Sequence, residues 1–186
     1  MNVRPICFLD GSVVSARALT TYRDRWKDQT FRQATPGSPH HDTEAILLRG
    51  PAEPAAANWL EDIEQGDYPI LDQFKSARSL LLRIRGALAP FTENRTPELG
   101  KAMLVSLRPG GVVDWHTDEG PYAEMHDRFH MCLVPSSGAL CIYGAEPVNM
   151  AVGMLNWVNN RVPHSAINLG TNNRIHLICD IRKPSP

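Results

Sequence analysis

Long apolar runs, paired cysteines and an excess of charge of either sign are all missing from this chain of 186 residues. The longest apolar clump near the start, Cys7-Phe8-Leu9, is cut off by Asp10. It is too short for a signal peptide and far too short to cross a bilayer, so neither secretion nor a membrane partner is expected. Cys7, Cys132, Cys141 and Cys179 lack CxxC spacing, which argues against a disulfide framework and against structural zinc on thiolates. The last three fall in apolar stretches where a free thiol serves as a small core side chain, and the expected compartment is the cytoplasm. Lys and Arg number 19 against 20 Asp and Glu, so no broad basic footprint exists and no nucleic-acid partner is expected. Internal repeats are absent, and low complexity is confined to a Pro-rich loop and the tail Lys183-Pro184-Ser185-Pro186. What remains has the length and apolar content of one self-supporting domain, residues 1–186.

The organisation of that domain changes near Gly100. Residues 1–100 read as a mostly helical support region, with helical patterns over 12–29, 53–65 and 71–88. In the third, Leu71, Phe74, Ala77, Leu81, Ile84 and Leu88 recur at three- and four-residue steps, so one stripe should pack inward while Arg78, Arg83 and Arg85 face solvent. Between the first two, Ala34 to Asp42 is a loop by composition, and its neighbours His40 and His41 are expected to be exposed or part of a substrate lid. Residues 101–183 differ. Short apolar runs at 102–107, 112–116, 128–134, 139–143, 148–152, 154–158, 164–169 and 174–181 are separated by turn signals such as Pro109-Gly110-Gly111 and Gly170-Thr171-Asn172-Asn173. The fold class expected is mainly β with N-terminal helices: a double-stranded β-helix, the cupin-like jelly roll, flanked by helices.

The chemistry-bearing residues fall in this second part. Two imidazoles and one carboxylate on one face of an octahedron suit a mononuclear non-haem Fe(II) site, because the opposite face stays open for co-substrate and dioxygen. On a strand, residues two apart share a side, so His116 and Asp118 can reach one ion while Thr117 and Glu119 cannot. His164 lies in an extended stretch, Val162-Pro163-His164-Ser165-Ala166-Ile167, that a neighbouring strand can bring alongside. Arg174 follows on the next strand, where a guanidinium fork can hold a carboxylate such as the far end of 2-oxoglutarate. Arg128 and His130 repeat the arrangement, with Phe129, Met131 and Leu133 on the opposite face. Donor groups on an inward face need an anion, either a dicarboxylate ligand, an acidic substrate, or a strand salt bridge to Asp180 or Glu124.

Leu107-Arg108-Pro109-Gly110-Gly111, Trp115-His116-Thr117-Asp118, Arg128-Phe129-His130-Met131, Val162-Pro163-His164-Ser165-Ala166-Ile167-Asn168 and Asn173-Arg174-Ile175-His176-Leu177 occur in that order. With these pieces, residues 101–183 resemble the aspartyl/asparaginyl β-hydroxylase family of Fe(II)/2-oxoglutarate-dependent dioxygenases. The resemblance implies His116, Asp118 and His164 as catalytic iron ligands, and Arg174 as the partner of the distal 2-oxoglutarate carboxylate. It further implies His130 as a donor near the other end of that co-substrate and Arg128 as a residue facing the substrate. The expected cofactors are Fe(II), 2-oxoglutarate and O2, with succinate and CO2 as co-products.

The chain departs from the family pattern at two positions. Some peptide-hydroxylating members have glycine where this chain has Asp118, and a family serine near the co-substrate falls on Val105. Asp118 draws the comparison toward members with a full triad, including those acting on free amino acids. The expected substrate is an amino acid, or an aspartyl or asparaginyl residue in a peptide, with pocket arginines favouring an acidic target. Two other readings are carried alongside: a different metal-dependent cupin enzyme, which leaves Arg174 without a role, and a catalytically inactive jelly-roll ligand-binding protein, which leaves the Asp118 carboxylate buried beside two histidines for no gain.

Overall fold

Two antiparallel sheets enclose the interior. The structure, a computed structural model, describes residues 1–27, 31–50, 74–92 and 96–183. Its strands are β1 (Val3–Phe8), β2 (Thr43–Arg49), β3 (Leu99–Leu107), β4 (Val112–His116), β5 (His126–Val134), β6 (Ala139–Tyr143), β7 (Glu146–Val148), β8 (Met154–Val158), β9 (His164–Asn168) and β10 (Arg174–Arg182). The larger sheet runs β1-β8-β5-β10-β3-β2 and the smaller β4-β9-β6-β7. This is the expected jelly roll.

Alternation along the long strands decides what each face of the larger sheet does. Ile175, Leu177, Cys179 and Ile181 of β10, with Phe129, Met131 and Leu133 of β5, pack outward into the main core. Helices α1 (Ser12–Leu19) and α3 (Lys75–Leu88) close that core; α2 (Phe31–Ala34) and α4 (Pro121–Met125) are single turns. The stripe read from the sequence is present in α3: Phe74 precedes it, and Ala77, Leu81, Ile84 and Leu88 are buried, joined by Leu80. Each large side chain buried this way contributes roughly 1.5–3 kcal/mol. Arg78 and Arg83 are exposed and Arg85 half-buried. The expected helix over 53–65 and residue Leu71 lie outside the described residues.

Two expectations for the N-terminal region change. The helix over 12–29 stops at Leu19, where Thr20-Thr21 offers poor helix formers and the Thr20 hydroxyl bonds back to the Ala16 carbonyl at 2.8 Å. A 3-10 turn, Arg23–Arg25, follows. The region also supplies β1 and β2, the two outer strands of the larger sheet. β1 carries Pro5 and a bulge before Cys7, which an edge strand tolerates. In β2, Ile46 and Leu48 join the helical core while Ala45 and Leu47 face the interior, so both faces are apolar and no alternation betrays the strand. The strand expected over 148–152 lies instead at Glu146–Val148, sharing only Val148 with the expected run, and Val152 makes an isolated bridge to Cys132.

Between β3 and β4 the chain turns at Gly110, whose φ of 70° suits glycine. That turn carries the chain from the larger sheet to the smaller one, where the first candidate ligand stands.

Candidate active site

His116 ends β4 and His164 begins β9, and the two are directly opposed across the antiparallel pair. Their rings lie 4.1 Å apart, with Tyr143 of β6 stacked on the far side of His164 at 5.4 Å. The Nδ1 atom of His116 sits 2.8 Å from the Asp114 carbonyl, and that of His164 3.0 Å from the Val162 carbonyl. A carbonyl only accepts, so each Nδ1 carries the proton and each Nε2 keeps its lone pair for a ligand.

Asp118 arrives differently from the period-two expectation, for β4 has already ended and Asp118 lies in the following turn. Its backbone N–H donates to the Asn160 carbonyl at 3.0 Å, and the Asn160 amide donates to Asp118 Oδ2 at 3.0 Å. Arg128 donates to the same oxygen. Oδ1 is left facing His116 Nε2 at 3.6 Å. One potential ligand atom each from His116, Asp118 and His164 lies within 4.8 Å of the others.

Arg128 is held on both sides. Directly across the β5–β10 pair, Asp180 receives its Nε at 2.8 Å and its Nη2 at 3.1 Å, a bidentate fork, while Nη1 goes to Asp118. Asp180 is 1% exposed. Burial pushes both carboxyls up, but the Arg128 guanidinium, joined at Asp118 by the Asn160 amide and the two histidines and at Asp180 by Lys101 and His126, outweighs it and holds both below the usual range. Arg128 lines the cavity, yet its donors are engaged by carboxylates of this chain. Its Nε, Nη1 and Nη2 thus tie Asp118 to Asp180 at the cavity wall.

Deeper in the same cavity the polar groups are not closed. Arg174 is buried, and its Nη1 meets only Cys141 Sγ, at 3.1 Å, while its Nε has no hydrogen-bond partner. His130 Nδ1 is likewise buried and unmet, and so, outside this cavity's lining, is His176 Nδ1. Burial, then the charges of Arg128 and Arg174, push His130 down to about 3, so its ring is neutral. Burial and Arg174 lower His176 as well. The cavity holds about 620 Å³ and is lined by the three candidate ligands, Arg128, His130, Tyr143 and Arg174.

Other sequence expectations resolve as follows. Cys132, Cys141 and Cys179 are buried free thiols and Cys7 is half-buried. His41 is exposed, but His40 lines the cavity with its ring edge-on to His116 at 4.7 Å. The segment bearing it is tied to β4 by the Pro39 carbonyl, which accepts from Asp114 N–H at 2.9 Å, and by Asp42, which accepts from Val112 N–H at 2.9 Å. Tyr122 lines the cavity, its hydroxyl accepting from Lys101 N–H at 2.7 Å. Ser106 faces away from the cavity, receiving the Asn173 amide at 3.1 Å, and Val105 lines it. Sequence reasoning did not single out Asn160 as a site residue. Its only signal was its place in the Asn159-Asn160 pair just before the second histidine's strand. No helix among the described residues is long and apolar enough to cross a membrane.

No curated protein matches the chain in sequence. Solved structures do match its fold. An oxidoreductase of the 2OG-Fe(II) oxygenase family from Burkholderia pseudomallei aligns over 95% of this chain and 92% of its own, with TM-score 0.56 and 11% identity. The viral collagen prolyl hydroxylase of Paramecium bursaria Chlorella virus-1, in its 2OG complex, aligns over 100% and 97% with TM-score 0.55 and 10% identity. A Pseudomonas putida prolyl-4-hydroxylase aligns over 98% and 92% with TM-score 0.53 and 15% identity. At such identities the likeness is one of fold. The sequence profile described as aspartyl/asparaginyl beta-hydroxylase matches residues 74–184, more than half of the chain, and covers β3 to β10 with every candidate ligand. The chain belongs to the aspartyl/asparaginyl β-hydroxylase family.

Proposed function

We propose that the protein is an Fe(II)/2-oxoglutarate-dependent dioxygenase that hydroxylates an amino acid, free or within a peptide, with succinate and CO2 as co-products. His116 Nε2, Asp118 Oδ1 and His164 Nε2 would hold the iron, and Arg174 the distal carboxylate of 2-oxoglutarate, with His130 donating near its other end. The donor set fits ferrous ion: two neutral imidazoles and one carboxylate, with the remaining positions open. The carrying observation is the unmet Arg174 Nε beside the unmet His130 Nδ1, in the cavity that also holds the three ligand atoms. A buried guanidinium paired only with a thiol is costly, and a carboxylate relieves it. Arg174 thereby gains a role that the reading as a different metal-dependent cupin enzyme does not supply.

When bound, iron and 2-oxoglutarate supply with dioxygen an oxidant able to attack an unactivated C–H bond. This chain's residues do the rest. The backbone carbonyls of Asp114 and Val162 fix the tautomers of His116 and His164. Arg128 and Asn160 hold one oxygen of Asp118 so that the other faces the ligand position. Tyr143, whose burial raises its hydroxyl well above the usual range, stays protonated and braces His164 by stacking. Anaerobic addition of Fe(II) and then 2-oxoglutarate should produce the visible charge-transfer absorption of a chelated 2-oxoacid, lost in His116→Ala and His164→Ala. Failure of the unaltered protein to bind iron would overturn the reading.

A further inference from the structure

From the wall opposite the ligands we infer that the substrate presents an apolar side chain to this cavity, not an aspartyl or asparaginyl one; the inference rests on the hydroxylase reading and names its substrate class. The cavity faces of β2, β3 and β10 carry a separate apolar cluster, Ala45, Leu47, Met103 and Val105 buried and Ile178 half-buried against them, all of which line the cavity. Strand register aligns them in rows. Leu47, Met103, Ile178 and His130 are successive partners across β2, β3, β10 and β5, so an apolar surface runs straight into the polar floor beside the ligands. A substrate carbon approaching the iron position passes along that surface.

Charge points the same way. Among the described residues, three Lys or Arg side chains line the cavity: Lys101, Arg128 and Arg174. Arg128 bridges Asp118 and Asp180, so the arginine that a carboxylate substrate would need is already neutralised twice over. Arg174 is assigned to the co-substrate. Lys101 holds its ammonium 4.8 Å from the centre of the Tyr122 ring, at the end of β3 remote from Arg174, as the partner positions of the two strands require. An acidic side chain laid on Leu47, Met103 and Ile178 would lose its hydration over that apolar row. An aliphatic or aromatic one would gain contact along its whole length. The volume, about 620 Å³, lies within the usual range for pockets that take a small ligand nearly whole, and leaves room for a side chain beside 2-oxoglutarate.

The test uses the full chain loaded with Zn(II) and 2-oxoglutarate, where no turnover occurs, and with Fe(II) and 2-oxoglutarate, where it does. Leucine, isoleucine, methionine, phenylalanine and proline are offered free and as the central residue of capped tripeptides, beside aspartate and asparagine in both forms. Ligand-observed NMR on the zinc form should register the apolar members and neither aspartate nor asparagine, and the same apolar members should stimulate succinate formation by the iron form. The free and capped arms separate an amino acid from a peptide as the source of the side chain. Met103→Ala and Leu47→Ala should each weaken apolar binding about tenfold, the scale of a few lost methylenes in a hydrophobic pocket, while the charge-transfer absorption with Fe(II) and 2-oxoglutarate is retained. Binding by aspartate or asparagine alone, or by no apolar member in either form, overturns the inference yet leaves the hydroxylase reading intact. Absence of the charge-transfer absorption in the unaltered protein removes both.

Discussion

On the interior face of β5 and β10, Arg128 with Asp180 makes one polar cluster, and His130 with His176 and Arg174, farther along the same strands, makes another. In the first, each charged group closes on a partner from this chain, and Asp118 and Asn160 extend the network to the ligand position. In the second, three buried nitrogens remain unmet. Both clusters are sequestered from water, so burial does not separate them; completeness does. A closed cluster holds geometry, and an open one marks the place where another molecule finishes the hydrogen bonding.

The sharpest way to break this comparison is Asp180→Ala, which takes the bidentate partner from Arg128 and leaves it Asp118. Stability should fall by about 3–5 kcal/mol, read from the urea midpoint at unchanged slope. A loss under about 1 kcal/mol would mean that the first cluster does not hold geometry. Arg174→Ala should behave oppositely. It removes a group the fold leaves unsatisfied, so stability should drop far less, while the 2-oxoglutarate concentration needed for half-saturation rises by about 30-fold or more. Equal damage to stability from both variants would erase the distinction.

Asn160→Ala sharpens the first cluster at its outer end. Losing one of two donors to Asp118 Oδ2 should weaken iron binding by about tenfold, the lower range for residues that orient a metal ligand, measured by competition with a chelator. Unchanged affinity would leave Arg128 as the sole orienting group. The mildest effect concerns pH. His130 is pushed down to about 3 by burial, Arg128 and Arg174, against 6.5 for the unfolded chain. As pH falls the unfolded chain takes up this proton first, so stability present above 6.5 is lost progressively toward 3. Between pH 7 and pH 6 the loss is about 0.7 kcal/mol. His130→Gln should flatten the profile by that amount, and an identical profile would show that the ring is solvated.

How much of this could be read along the chain depended on the residue. His116, Asp118, His164 and Arg174 stand in a family motif and were legible one by one. The α3 stripe was legible because one face meets core and the other water. β2 was not, since apolar contacts on both of its faces erase the alternation that identifies a strand. β1 was concealed by Pro5 and a bulge. Arg128 was visible as an inward-facing cation, but whether it met substrate or Asp180 depended on strand register, a property of two strands 52 positions apart in the sequence at that ion pair. His40 lay in a loop with no periodic pattern, and only the ties of Pro39 and Asp42 to β4 bring its ring against His116.

By itself the sequence determined the inventory: a jelly roll from the spacing of short apolar runs, and an iron-type donor set from residue chemistry, since both depend on local pattern. The tertiary structure alone decided the allocation of those groups. Which carboxylate neutralises Arg128, which guanidinium stays open, and which strand supplies the apolar wall all follow from lateral pairing, because hydrogen-bond completion and desolvation depend on neighbours that lie far apart along the chain.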